Sequence, residues 1–215
     1  MVEKSLRVAT HSQPDQYWEG GHYELNLSFD NLREKQWERA LKLVWGSSGI
    51  TGPLTWRYVP GIELPETAKV QVPPPTATMT QYGQLQIGRV TVGFDLQMTR
   101  SLFECISILI PISMFEGIES GPQLRQDHPE MDALDSILCN LALRLYDEVG
   151  FKIAAIGYER ECQLPVELRS DPELCQTFLA AGNAFVQEDV LRILKPESNT
   201  YKLVKNDLYW FPIAS

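Results

Sequence analysis

Histidine and cysteine are scarce in this chain, and neither is grouped. The three histidines, His11, His22 and His128, stand alone, and Cys105, Cys139, Cys162 and Cys175 include no C-x-x-C pair. A metal centre needs several convergent nitrogen, sulfur or carboxylate ligands, so this distribution predicts no metal site and no cofactor. Wide cysteine spacing, with Cys105 and Cys139 inside apolar patterns, predicts buried reduced thiols rather than a disulfide scaffold. Long apolar runs are also missing. CISILIPISMF is about half the ~20 residues that span a bilayer, and the opening MVEKSLRVATHSQPDQYW has no apolar core of the signal-peptide kind. The expectation is a cytoplasmic protein that does not enter membranes.

Basic charge is in deficit. Nineteen Lys and Arg face 28 Asp and Glu, a formal charge of −9, which disfavours phosphate backbones and predicts no nucleic-acid partner. The glycines of GSSGITGPL follow a helical pattern and lack the Gly-Lys-Ser/Thr ending of a phosphate loop. No Gly-x-Ser-x-Gly elbow occurs, and no internal repeat is visible.

The patterns that are present describe an α+β chain. In YELNLSF, apolar and polar residues alternate, the period of a half-buried strand. Asn31 and Glu34 have capping-box spacing ahead of Trp37, Ala40, Leu41, Val44 and Trp45, which recur on one helical face up to Gly46. Residues 46–81 form a turn- and proline-rich excursion, expected to be ordered by Trp56, Tyr58 and Leu64. Residues 82–96 read as strand with a phase slip at Gly88–Arg89, either a bulge or the division between two strands. FECISILIP is a further strand. Asp127 and Glu130 cap a second helix striped by Met131, Leu134, Leu138, Leu141 and Leu145, with Asp132 and Asp135 on its solvated face, and FKIAAIGY is the next strand.

This order, strand, helix, strand, strand, helix, strand, predicts a ferredoxin-like (split βαβ) two-layer sandwich with an insertion after the first helix and a C-terminal helical and hairpin extension. The whole, 1–215, is expected as a single domain: an arm at 1–20, a core at 21–160 and an extension at 161–215 packed on it. Within the extension, short helices are expected after Asp171 and in 184–195, and YKLV with LYWF reads as a hairpin.

Residues 111–150 carry two arginines against eight carboxylates, net −6. Together with aromatics in irregular segments, this predicts a non-catalytic protein–protein interaction or regulatory domain recognising a basic partner through the excursion at 50–80 and the acidic region 111–135, with Glu116, Glu119, Asp127 and Trp210 among its contact residues. A small-molecule groove between excursion and sheet, lined by Trp56, Arg57, Tyr58, Arg89 and Arg100, is the first alternative. An acid–base enzyme using Asp95, Glu104 or Glu159 is the second. Self-association through a sheet edge or the LYWF tail stays open.

Overall fold

The computed structural model describes residues 14–101, 103–115, 131–160, 162–196 and 200–212. Alternation at the start of the chain folds as expected into β1 (His22–Phe29), and the first apolar stripe into α1 (Glu34–Trp45). Its start is set differently from the expected box. The Gln36 side chain accepts from the Arg33 backbone amide at 3.0 Å, while Asn31 takes a left-handed conformation, φ 52°. After β2 (Ile50–Leu54), strands β3 (Ala77–Ile87) and β4 (Val90–Arg100) form a hairpin in which Ile87 pairs with Val90. The phase slip is therefore a two-residue turn, and Gly88 supplies its positive φ of 58°. β5 (Glu104–Pro111), α2 (Met131–Val149) and β6 (Ile153–Tyr158) follow.

The remaining elements are α3 (Pro165–Ser170), α4 (Pro172–Ala181), β7 (Ala184–Gln187), α5 (Glu188–Leu194), β8 (Lys202–Lys205) and β9 (Leu208–Phe211). Asp171 caps α4 by accepting from the amides of Glu173 and Leu174, both at 3.0 Å, and Gly182 ends it.

The ferredoxin-like two-layer expectation is overturned. All nine strands join one antiparallel sheet in the order β2-β3-β4-β5-β1-β6-β7-β9-β8, accompanied by five helices among the described residues. β4, β5, β1 and β6 lie side by side in its middle, but the excursion donates β2 and the start of β3 at one side. The C-terminal segment adds β7, β9 and β8 at the other. Helices also cover both faces rather than one. On the first face, Leu25 and Leu27 of β1, Phe94 and Leu96 of β4 and Ile106 and Ile108 of β5 are buried with Trp37 and Leu41 of α1 and Leu134, Leu138 and Leu141 of α2. On the second, Ile153, Ala155, Ala184, Val186 and Phe211 form a separate cluster with Leu168 of α3, Phe178 of α4 and Val190 and Leu194 of α5. Alternation makes this possible, because successive residues of β6 point to opposite sides and both sides are apolar.

Two sequence expectations about polar groups also change. Cys105 and Cys162 are joined in a disulfide, which fastens β5 to the segment leading into α3, so neither is a reduced thiol; Cys139 and Cys175 are free. Asp135 does not face solvent. It is buried, accepting from Asn183 Nδ2 at 3.1 Å and from the Tyr23 hydroxyl. Among the described residues no helix is long and apolar enough to cross a membrane. The sheet edges are β2 and β8, whereas the LYWF tail is the interior strand β9.

Candidate functional site

The second face of the sheet is polar between its two covers, and cross-strand register places the groups. Glu24, Leu109, Asp95 and Tyr82 align in one row across β1, β5, β4 and β3, and His22 neighbours Pro111 in the row beside it. Asp95 sits there because its phase in β4 is opposite to that of buried Val92, Phe94, Leu96 and Met98. Gly93, two residues earlier on the same face, leaves room for a close approach. A Cβ there would lie 2.7 Å from Trp18 Cζ2 and 3.0 Å from the Tyr58 carbonyl oxygen. The short 3₁₀ turn Pro14–Trp18 and the excursion thus meet over one glycine.

Arg57 closes the arrangement. Its Nη2 donates to Asp95 Oδ2 at 2.7 Å and its Nε to Oδ1 at 3.3 Å, a two-point fork on a buried carboxylate. The guanidinium carbon lies 4.6 Å from the centre of the Trp18 ring and 5.8 Å from that of Tyr82. Burial pushes the Asp95 carboxyl above its ordinary value, and the Arg57 hydrogen bonds oppose that rise without cancelling it. The same pairing raises Arg57. His22 is lowered, chiefly by burial, with Asp95 raising it and Arg57 lowering it.

An open groove of about 640 Å³ adjoins this pair, lined by Asp15, Trp18, Glu19, Trp56, Arg57 and Tyr82 among others. Trp56 is 50% exposed. Asp15 and Glu19 are exposed and engage in no ion pair among the described residues. The Arg57 charge is paired with Asp95, so the groove presents the Trp56 indole ring, two carboxylates and a cation already held in an ion pair.

Of the residues singled out from sequence, Trp56, Arg57 and Tyr58 come together here, Tyr58 through its backbone at Gly93. Trp56 and Leu64 are too exposed to hold the excursion, which is tied down by Arg57 and by backbone bonds from Thr55 to Glu66 and from Ala68 to Pro53. Arg89 lies apart, in the exposed β3–β4 turn. Arg100 lies five residues beyond Asp95 on β4, where it donates to Glu34 at 2.6 Å and to the Pro73 carbonyl at 3.3 Å. Trp210 is on β9, stacked on Phe185 across the strand pair. Glu116, Glu119 and Asp127 lie outside the described residues.

Comparison with protein-family models, curated proteins and solved structures finds no match. The chemistry must be read from the groups themselves. The acid–base candidates are committed or unsupported: both Asp95 oxygens hold Arg57, while Glu104 accepts from the Leu32 amide and from Trp37 Nε1 at 3.4 Å. Glu159 is exposed in a turn with φ 45°. Among the described residues no group of His, Cys, Asp and Glu is arranged to hold a metal ion. Sequence reading passed over Asp15 and Glu19; their flanking of Trp18 in PDQYWE was the available signal.

Proposed function

We propose that this chain is a non-catalytic recognition module, and that the Trp18–Trp56 groove takes a basic segment of a partner protein. The observation that carries the reading is the half-exposed Trp56 ring beside Asp15 and Glu19, in a groove whose own cation is neutralised from beneath. An exposed indole gives large contact area at low rotamer loss, and tryptophan is enriched among interface hot spots. Carboxylates at the rim speed the encounter with a cationic partner and discourage anionic ones. A lysine or arginine side chain of the partner can lie along the Trp56 face with its charge between Asp15 and Glu19, combining cation–π and ionic attraction.

The test is an array of short peptides of graded charge probed with the full chain. Lysine- and arginine-rich peptides should be retained at low salt and released as salt rises. Trp56→Ala should abolish retention, and Asp15→Asn with Glu19→Gln should weaken it. Retention that ignores charge, salt and Trp56 alike would end the proposal.

A further inference from the structure

A second cleft, of about 490 Å³, opens at the far end of β1, β4 and β5, roughly 20 Å along the strands from the Trp56 groove. Phe29, the last residue of β1, and Glu104, the first of β5, form its floor. Phe103 in the β4–β5 turn makes one wall, and Leu164, Pro165 and Val166 at the start of α3 make the other. The Cys105–Cys162 disulfide ties β5, which begins at Glu104, to the segment that leads into α3.

The walls are apolar and open to solvent: Phe103 is 38% exposed and Val166 65%. The charges are unequally committed. Glu104 is occupied by the Leu32 amide and Trp37 Nε1, with Arg100 Nε 4.0 Å away, and Asp30 lies 3.5 Å from Lys152 Nζ. Arg169, also on the lining, is exposed and engages no carboxylate among the described residues. Among the described residues, the cleft therefore joins an apolar slot to one free guanidinium.

We propose that this cleft binds a small amphipathic carboxylate, an aliphatic chain bearing one carboxyl group. The tail lies between Phe103 and Val166, and the head meets the Arg169 guanidinium, whose planar fork matches a carboxylate. An amine or a neutral chain of the same length gains the apolar contact without the pairing. A bare carboxylate such as acetate gains the pairing without the slot.

Octanoate, hexanoate, octylammonium and acetate titrated into the full chain, followed by amide chemical shifts, separate these contributions. Octanoate should bind with shifts centred on Phe103 and residues 164–169. Hexanoate should be weaker by about two- to fourfold per methylene lost, and acetate should not bind. Arg169→Gln should weaken octanoate about fivefold, the size of an exposed ion pair, and Arg169→Glu should reverse the preference in favour of octylammonium. Arg169 is an exposed helix residue, so these variants keep the fold. Equal affinity for octanoate and octylammonium, an unchanged preference in Arg169→Glu, shifts centred on Trp56, or no octanoate binding at millimolar concentration would each overturn the proposal.

Discussion

Replacing Arg57 with alanine removes two hydrogen bonds, at 2.7 and 3.3 Å, from a buried carboxylate and lifts a cation off the Trp18 ring. Hydrogen bonds to charged groups contribute about 1.5–3 kcal/mol each. The Arg57 side chain is 49% exposed, so solvent screening reduces the sum, and the cation–π contact adds about 0.5–1 kcal/mol. The expected loss is about 2 kcal/mol, below the ~3–5 kcal/mol for breaking a fully buried pair. In a chain this long that lowers the melting midpoint by about 4–8 °C. Urea unfolding of Arg57→Ala, Asp95→Ala and the double variant should give a coupling of about 1 kcal/mol or more. The pH dependence has a definite sign. Asp95 is raised in the folded protein, so its contribution to stability is complete below the ordinary carboxylate value and is lost as pH rises through the raised native value. Without Arg57 the native value climbs further, so the Arg57→Ala deficit should widen with rising pH across that window and shrink on acidification. A coupling within ~0.5 kcal/mol of zero, or a deficit that grows toward acid, would refute the account of this pair.

Three further perturbations probe the frame around the sites. Leu138→Ala, at a position 1% exposed between α2 and the sheet, should cost about 2–5 kcal/mol by urea unfolding; a loss under ~1 kcal/mol would mean that α2 is not seated as described. Reducing Cys105–Cys162, which are 57 residues apart, should lower stability by at most about 4 kcal/mol from loop-closure entropy, read as a fall in the urea midpoint; identical oxidised and reduced curves would show that the pair gives no stabilising cross-link. Gly93→Ala places a methyl 2.7 Å from Trp18 and should displace that ring. The cost is about 1–3 kcal/mol, with a shift in tryptophan emission, and wild-type emission and stability would contradict the packing.

Local patterns carried much further than architecture. β1, α1 and α2 follow from periodicity because each has one apolar face and one polar face. β2 was missed because ITGPL is short and holds Gly52 and Pro53, residues that demote a strand. The start of β3, residues 77–81, was missed for a different reason. The strand's core-facing phase holds Gln81 and Gly83 where alternation calls for apolar side chains. Gln81 is buried between Trp45 Nε1 at 3.3 Å and the Lys69 carbonyl at 3.1 Å, and a Cβ on Gly83 would strike the Phe94 ring at 2.5 Å. The apolar signal for that stretch is supplied by Trp45 and Phe94, which belong to other elements. The hairpin of β8 and β9 was legible, but its attachment rests on pairs such as Phe185 with Trp210, a long-range register that no local period encodes. The disulfide is of the same kind: Cys105 shares a phase with Ser107 and Leu109, and nothing near it in sequence points to Cys162.

The candidate site shows how ion pairing gives different roles to neighbours that sequence grouped together. Trp56 and Arg57 are adjacent, and both were expected to line a single groove. Both line the groove and both are about half exposed, but Arg57 is paired with a buried carboxylate 38 positions away, whereas Trp56 keeps an uncovered ring. That division decides the sign of the surface. Had Arg57 faced the groove unpaired, its charge would offset one of Asp15 and Glu19 and favour an anionic or neutral ligand. With Asp95 holding it from below, the rim keeps the negative excess of the whole chain, and a cationic partner gains from the indole and from both carboxylates together.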